Sequence, residues 1–303
     1  MKYIAGGVFA MGSSRFYPEE APVRQVRVDP FWIDEAPVTN AQFAEFVSAT
    51  GHVTFAEISP SPDDYPGLSP ELAHPGSLIF EQPAGALDHV RMNWWQFRVG
   101  ADWRHPLGPS SDLSGLEDHP VVHIAWSDAV AFAAWADKSL PTEAEWEFAA
   151  KGGMTGADFA WGEELAPGGK MLANYWQGPF PVHNSLADGW ERTSPVGYFP
   201  ANGYGLYDMI GNVWEWTADW FGVSDPDQAP AGPCCVAANP RGGCEADSRD
   251  PAAAISVPRK VIKGGSHLCA ENYCRRYRPA ARFAQPIDTT TGHVGFRCVR
   301  RAA

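Results

Sequence analysis

The sequence predicts a loop-rich α+β fold in one domain covering residues 1–303. Glycine and proline are abundant, with 30 Gly and 27 Pro in the chain, and this content indicates many turns and loops. The patterns typical of regular structure are short: a few alternating strands and a few capped helices. No tandem repeat, low-complexity tract or linker marks a boundary, and 303 residues fit one large domain.

The first part of the chain contains two predicted strands and one predicted helix. Residues 6–12 and 23–28 have the pattern of strands, the second through its apolar and polar alternation. Thr39 and Gln42 form a capping-box pattern that opens a helix, and Gly51 ends it. The apolar face of this helix is formed by Phe43, Phe46 and Val47.

A long segment without regular periodicity, residues 59–118, follows this helix. It contains Trp94, Trp95 and Trp103 among many Pro, Gly, Asp and Ser residues. Disordered linkers are poor in aromatic residues, so we expect a long, packed, functional loop.

Further elements are predicted in the middle of the chain. Residues 120–126 have the pattern of a buried strand, and Ser127 is predicted to cap the helix that follows. Thr142 and Glu145 form a second capping box, before a helix that we expect to end at residues 152–153. Turns and short strands are predicted from there to the end.

The composition excludes several classes of partner. A net charge of −13 argues against binding to nucleic acid or to an anionic membrane. Residues 121–136 form the best apolar run, but His123 and Asp128 interrupt it, so we expect no membrane span. The N-terminal residues lack the apolar core of a signal peptide. We therefore expect a cytoplasmic protein, and a monomer.

The most informative local feature is the pair Cys269 and Cys274. Their spacing places the two thiols on different sides of a helix and on opposite faces of a strand. Only an irregular turn brings them together, and Gly264, Gly265 and Asn272 favour turns. From spacing alone, a structural disulfide or two buried thiols is the favoured interpretation. As a metal site, two thiolates suit Cu(I), whereas zinc needs four ligands.

Two loops carry oxygen ligands of the kind that Ca²⁺ prefers. Asp208 and Glu215 flank one loop, and Asn174 and Asp188 span the other. From spacing alone, both are interpreted as solvated loops.

Other motifs point to no chemistry. The sequence contains no nucleophile elbow, P-loop, zincin motif or Rossmann fingerprint. His119 and His123 flank a strand-like segment and lie too far apart along it to bind one metal. We interpret them as core or hydrogen-bonded histidines.

Together, these segments resemble the formylglycine-generating enzymes, the sulfatase-modifying factor family. The resemblance covers nearly the whole chain. It is carried by residues 6–12, 37–43, 119–126, 140–147, 211–216, 263–266 and 295–298. Most of these motifs mark the fold. The pattern Cys269-x4-Cys274, followed by residues 275–278, resembles the active-site pair of the enzymes, which reverses the preference for a disulfide.

The resemblance implies a C-type-lectin-like fold and an oxidase activity. The enzyme would use Cu(I) and O2 to convert a cysteine in a Cys-x-Pro-x-Arg segment of an unfolded sulfatase polypeptide to Cα-formylglycine. Cys269 and Cys274 would bind Cu(I) and leave coordination positions open for the substrate cysteine. Ser266, Trp214 and Tyr273 would line the active site.

The resemblance also implies two structural calcium sites. The first would be formed by Asn174, Tyr175, Asp188 and Trp190, and the second by Asp208, Gly211, Val213 and Glu215. Calcium would hold loops in place and take no part in the chemistry.

The sequence departs from the family pattern at several positions. His293 stands where Asn is common, and residues 285–290 differ from the usual Asn-Thr-Pro-Asp-Ser-Ser. The usual disulfide partner of Cys298 is absent, which supports a reduced, cytoplasmic enzyme. The acidic anchor for the substrate arginine should lie before Trp94. No role is predicted for Cys234, Cys235 and Cys244.

Two alternatives remain open on the same fold. One is a non-catalytic module that binds a peptide or another ligand, which the retained cysteine pair argues against. The other is an iron-dependent sulfoxide synthase, which would need three iron-binding histidines and usually has a helical-bundle partner domain.

Overall fold

Short strands and long connecting segments dominate the structure, a computed structural model that describes residues 1–84, 87–88, 92–222, 236–253 and 255–301. The helices are α1 (Asn40–Thr50), α2 (Trp126–Trp135) and α3 (Glu143–Ala150). The strands are β1 (Lys2–Ile4), β2 (Gly7–Met11), β3 (Arg24–Val28), β4 (Phe31–Ile33), β5 (Gly76–Phe80), β6 (Trp95–Val99), β7 (Trp214–Trp220), β8 (Ala237–Ala238), β9 (Arg259–Lys263), β10 (Arg282–Pro286), β11 (Val294–Gly295) and β12 (Val299–Arg301). Short 3-10 segments lie at Pro18–Glu20, Phe55–Glu57, Pro70–Leu72, Pro167–Gly169 and Ala246–Ser248.

The strands of the described residues pair into small sheets. The central sheet has the order β10-β9-β7-β11, in which β7 and β11 are parallel and the other pairs antiparallel. The sheet β1-β4-β12 joins the two ends of the chain, β2-β3-β8 forms a separate sheet that shares a hydrophobic cluster with it, and β5 pairs with β6. Cys269 and Cys274 lie in the connection between β9 and β10, so the central sheet positions that connection at both ends.

An aromatic core holds α1 and α2 against the central sheet. The rings of Phe43 in α1 and Phe132 in α2 stack with their centroids 5.9 Å apart, and Phe296 contacts both rings. Trp216 in β7 is fully buried, and its indole N–H donates to the Ile124 carbonyl at 2.8 Å. Burial of each such side chain contributes about 1.5–3 kcal/mol. The sequence-distant parts of the chain are therefore joined mainly by aromatic packing.

The predicted capping boxes are confirmed. The Thr39 hydroxyl accepts from the Gln42 amide at 3.3 Å, and the Gln42 side chain accepts from the Thr39 amide at 3.1 Å. Gly51 ends α1 with a left-handed backbone, φ 70°. Thr142 and Glu145 make the same reciprocal pair at α3. The strands predicted at residues 6–12 and 23–28 are also present, as β2 and β3.

The strand predicted at residues 120–126 is wrong. The segment is buried, but its only ladder contact among the described residues is a single bridge from Pro120 to Thr39. His123 has a positive φ of 62°, which turns the backbone away from an extended course. The prediction that Ser127 caps α2 is also wrong, because the Asp128 carboxylate accepts from the Ala125 amide at 3.0 Å.

The segment 59–118 is more regular than the sequence predicts. It contains β5 and β6, which pair antiparallel, and the predicted absence of regular structure is therefore wrong. The predicted packing is confirmed for Trp94 and Trp103, which are 1% and 3% exposed. Aromatic anchoring, more than periodicity, was the reliable signal in this segment.

Both histidines of residues 119–123 are buried and hydrogen-bonded, as predicted. His119 Nδ1 lies 3.0 Å from the Thr193 hydroxyl. His123 Nδ1 lies 2.6 Å from the Ser77 hydroxyl, and His123 Nε2 lies 3.0 Å from the Pro106 carbonyl. The carbonyl only accepts, so Nε2 carries the proton and Nδ1 accepts from Ser77.

Because His123 is buried, we expect the free energy of unfolding to decrease as the pH falls. Burial lowers the pKa of His123 from 6.5 to about 4, so the unfolded chain binds a proton at a higher pH than the folded chain. Stability is then complete above pH 6.5 and is lost as the pH falls to about 4, by roughly 3 kcal/mol for this group. We expect His123→Gln to make the profile of unfolding free energy less steep between pH 4 and 6.5, because the contribution of this one histidine is then removed. His74→Gln, at an exposed position, should follow the wild type, and an equal slope in His123→Gln would refute this assignment.

Within the described ranges, no helix has both the length and the apolar character needed to cross a membrane.

Candidate active site

A tight turn brings Cys269 and Cys274 together. The Cys274 amide donates to the Ala270 carbonyl at 2.9 Å, and the Cys269 amide donates to the Ser266 carbonyl at 2.9 Å. The two sulfurs are 3.2 Å apart. A disulfide would hold them about 2.05 Å apart, so both cysteines are free thiols in close contact. The convergence that helix and strand geometry forbid is therefore achieved by the turn.

The cysteine pair lies on a cavity of about 380 Å³. Its other walls are mainly aromatic and hydroxyl side chains. They are Leu78, Met92, Trp95, Phe180, Trp214, Ser266, Leu268, Tyr273, Arg276, Phe283, Gln285, Thr289, Thr291 and His293. A larger cleft of about 1020 Å³ is lined by Glu271 and Arg275 of the same turn but contains neither sulfur. We place the candidate site at the smaller cavity, because only there do reactive side chains converge.

The two thiols have different acidities. The hydrogen bond from Cys269, assisted by the Arg276 guanidinium, lowers the pKa of Cys274 from 9.0 to about 7. Burial raises the pKa of Cys269 well above 9.0. Cys274 therefore loses its proton first as the pH rises through about 7, and the negative charge of the pair then lies mainly on Cys274. A thiolate is the form that binds soft metals and acts as a nucleophile.

The three supporting residues expected from the resemblance lie on this same cavity. The Ser266 amide N–H points at the Cys269 sulfur at 3.4 Å, and its hydroxyl accepts from the Leu268 amide at 3.2 Å. Tyr273 stacks on Phe180 with centroids 4.3 Å apart. Trp214 is 4% exposed and forms part of the wall. The sequence thus predicted which residues gather here.

Sequence reasoning missed other parts of the wall. Trp95, Phe180 and Arg276 were not assigned to the site, although Arg276 belongs to the motif that follows Cys274. His293 lies on the cavity, with its ring 4.8 Å from that of Trp95. No Asp or Glu is found among the described lining residues, so the acidic anchor for a substrate arginine stays a prediction.

The first predicted calcium set contains an oxygen that suits a cation. Asn174 Oδ1 is buried and has no hydrogen-bond partner among the described residues. Asp188 is also buried, and its oxygens accept from the Tyr175 amide at 3.1 Å, the Trp190 amide at 3.0 Å and the Gln177 side chain at 2.8 Å. Burial raises the pKa of Asp188 above 3.8. A bound Ca²⁺ would satisfy the unpartnered Asn174 oxygen and would be attracted by the Asp188 carboxylate.

In the second predicted calcium set, one predicted ligand, Glu215, is already paired with an arginine. Arg297 Nη2 and Nε each lie 2.7 Å from an oxygen of Glu215. Burial raises the pKa of Asp208 to about 6. Gly211 and Val213 lie in the same buried turn. Because Arg297 compensates the charge of Glu215, this set supports calcium less directly than the first.

Among the described residues, the other metal-binding residue types form no further site. His267 Nδ1 lies 2.9 Å from the Asn212 carbonyl, so it is a hydrogen-bonded core histidine. Groups of three or more His, Cys, Asp or Glu that could hold a metal are absent from the described part of the chain. Cys244 is exposed and lies 3.0 Å from Asp247 Oδ2. Cys234 and Cys235 lie outside the described residues.

The cysteine pair fits Cu(I) by its chemistry. Two converging sulfurs, one already anionic, form the soft and low-coordinate donor set that selects this ion over hard cations. The sulfurs are 3.2 Å apart, so both would be available to the same ion.

Comparison of the sequence with known proteins shows the family to which the chain belongs. Residues 1–302 match the family described as Sulfatase-modifying factor enzyme 1-like domain. A protein named formylglycine-generating enzyme from Mycobacterium tuberculosis is 53% identical over 98% of this chain and 96% of its own length. A mouse protein named inactive C-alpha-formylglycine-generating enzyme 2 is 37% identical over 100% of this chain and 86% of its own.

A comparison of structures extends this result to the fold. The structure of PvdO from Pseudomonas aeruginosa superposes with a TM-score of 0.63 at 22% identity, covering 99% of this chain and 93% of that one. At this identity the likeness concerns the fold alone. It confirms the prediction of a loop-rich α+β fold.

Proposed function

Because the chain belongs to the sulfatase-modifying factor family, we propose that it is a formylglycine-generating enzyme. It converts a sulfatase cysteine to Cα-formylglycine. We further propose that the cysteine lies in a Cys-x-Pro-x-Arg segment of an unfolded polypeptide and that the reaction depends on Cu(I) and O2. The observation that carries the proposal is the free Cys269 and Cys274 pair, with its sulfurs 3.2 Å apart on an aromatic cavity.

Cys269 and Cys274 would hold the copper. Copper(I), when bound, supplies the reactivity towards O2 by which the substrate carbon is oxidised and its sulfur is lost as hydrogen sulfide. The substrate carbon gives two electrons. The other two that reduce O2 to water come from an added thiol reductant.

The chain's own residues prepare the site for this chemistry. The Ser266 amide, 3.4 Å from the Cys269 sulfur, fixes the orientation of that sulfur. Trp214 and the ring of Tyr273, which stacks on Phe180, form walls of the cavity that would receive the substrate cysteine. Holding the substrate thiol against the pair converts a bimolecular encounter into a local reaction.

A non-catalytic binding module is the second candidate. It is considered because the mouse relative is named an inactive C-alpha-formylglycine-generating enzyme 2. A binding module needs the cavity but has no use for a mixed thiol and thiolate pair. The retained pair therefore favours an enzyme.

The test separates an enzyme from a binding module. The Cu(I)-loaded chain would be incubated in air, with a thiol reductant, with a Cys-x-Pro-x-Arg peptide and with a matched peptide whose Pro and Arg are Ala. We expect an aldehyde-specific probe to label the first peptide and to label the second at least about 10-fold more slowly. Binding of the first peptide without labelling would contradict the enzyme proposal and favour the binding module.

We propose calcium at both predicted sets, with the first as the testable case. At a Ca²⁺ concentration about 100 times Kd, binding should raise the free energy of unfolding by about 2.7 kcal/mol relative to chelator-treated protein. Asp188→Asn removes a ligand charge and should abolish most of this gain. Asp137→Asn, whose carboxylate is 94% exposed, should keep it. A calcium response of wild-type size in Asp188→Asn would contradict the first site.

We also propose a cytoplasmic, monomeric protein that binds neither nucleic acid nor membrane. Support for a reducing location comes from Cys298, a free thiol that is fully buried. The negative net charge of −13 supports the absence of polyanionic partners. Fractionation of cells would test the location, and light scattering would test the oligomeric state.

A further inference from the structure

One arginine faces the cysteine pair across a short distance. Arg276 Nη1 lies 3.9 Å from the Cys274 sulfur, and Arg276 lines the cavity. Among the described lining residues it is the single Lys, Arg, Asp or Glu. The active-site residues carried over from the family resemblance do not include it.

The guanidinium of Arg276 is held in one orientation by residues near the N-terminus. Its Nε and Nη2 atoms bind Glu19 Oε1 at 3.2 and 2.5 Å. The ring of Tyr17 lies 3.7 Å from the guanidinium carbon. With two nitrogens bound by Glu19, the third presents its N–H groups towards the sulfur.

The Glu19 segment is itself anchored firmly. Its neighbour Glu20 forms a buried ion pair with Arg278, in which both side chains are at most 2% exposed. Arg278 also lies over the ring of Phe16, 3.7 Å from its centroid. The N-terminal segment and the cysteine turn are therefore locked together although more than 250 positions separate them, as the Arg276–Glu19 spacing of 257 shows.

The proposed function gives this arrangement a purpose. Two thiolates with one Cu(I) ion carry a net negative charge, and a substrate thiolate adds another. An uncompensated charge in a largely apolar cavity is costly. A fixed guanidinium beside the sulfurs offsets that cost, and its charge does not depend on pH in the working range.

We propose that Arg276, held in place by its contacts with Glu19 and Tyr17, is the positive counter-charge of the Cys274 sulfur. The proposal rests on the proposed function for its consequence, tighter binding of Cu(I). The attraction between the Arg276 guanidinium and the Cys274 thiolate does not require the metal. The two parts can therefore be tested separately on the same full-length variants.

The metal-free test compares two alkylating reagents that differ in charge. Iodoacetate is an anion and iodoacetamide is neutral, so their rate ratio at one cysteine reports the local charge. In Arg276→Gln we expect the ratio at Cys274 to fall about 10-fold, as measured by peptide mass mapping. Arg276→Lys keeps the charge and should retain an intermediate ratio. The exposed Cys244 is the internal control, and its ratio should not change.

The metal test measures Cu(I) affinity by competition with a chromogenic chelator. Arg276→Gln should weaken binding by roughly 10- to 100-fold. Arg275→Gln is the matched control, since its guanidinium pairs with the exposed Glu271 at 4.0 Å, and it should bind as the wild type does. Thermal melts would confirm that each variant is folded.

The outcomes are distinguishable. An unchanged alkylation ratio in Arg276→Gln would overturn the counter-charge. A reduced ratio with unchanged Cu(I) affinity would overturn its role in the metal site. If the wild type binds no Cu(I), the proposed function fails. The alkylation rate ratio at Cys274 then decides by itself whether Arg276 is the counter-charge of the sulfur.

Discussion

Replacing either Cys269 or Cys274 by serine is expected to reduce the rate of formylglycine formation by roughly 1,000-fold or more. Serine removes the soft sulfur donor and leaves a hydroxyl that is neutral at working pH. Either change breaks the 3.2 Å sulfur contact on the cavity. The rate would be measured with the Cys-x-Pro-x-Arg peptide, a thiol reductant and an aldehyde-specific probe.

A matched control separates loss of chemistry from loss of structure. Cys244→Ser changes an exposed thiol outside the cavity and should leave the rate within about twofold of the wild type. Thermal melts should show that the active-site variants stay folded. Substantial conversion by either Cys269→Ser or Cys274→Ser would contradict the assignment of the pair.

Replacing Arg297 by methionine is expected to lower the free energy of unfolding by about 3–5 kcal/mol, because it leaves a buried carboxylate unpaired. Arg297 and Glu215 are both fully buried, and two guanidinium nitrogens each lie 2.7 Å from a Glu215 oxygen. Arg297 also donates to the Tyr207 carbonyl at 2.8 Å. Chemical denaturation in the presence of a calcium chelator would measure the loss.

The controls for this prediction come from the same part of the chain. Arg300→Met, in β12, removes an arginine that is 51% exposed and pairs with an exposed Asp137, and it should cost less than about 1 kcal/mol. The double variant Arg297→Met with Glu215→Gln should recover part of the stability, since no charge is then left unpaired. A loss below about 1 kcal/mol in Arg297→Met would contradict the structural role of this pair.

Local signals in the sequence predicted local structure well. The capping boxes of Thr39 and Thr142 are decided by residues three positions away, so the sequence contains the whole interaction. The strand predicted at residues 120–126 failed for the opposite reason. Its burial comes from distant neighbours, and His123 adopts a positive φ where it contacts Ser77 and Pro106.

The candidate site shows the same division. Cys269 and Cys274 were identified because their motif is short and contiguous, and the resemblance supplied Ser266, Trp214 and Tyr273. The contacts that hold the site in place join residues far apart in sequence, such as Glu19 with Arg276, which are 257 positions apart. No local pattern in a single sequence encodes such pairs.

The central claim is that the cysteine pair uses bound copper to oxidise a substrate cysteine. One measurement tests it most directly: mass spectrometry of a Cys-x-Pro-x-Arg peptide incubated in air, with a thiol reductant, with Cu(I)-loaded or copper-free protein. The account predicts exchange of the peptide's sulfur for an aldehyde oxygen with the loaded protein, and an unchanged peptide without copper or without O2. Equal conversion with and without copper, or none with the loaded protein, would contradict it.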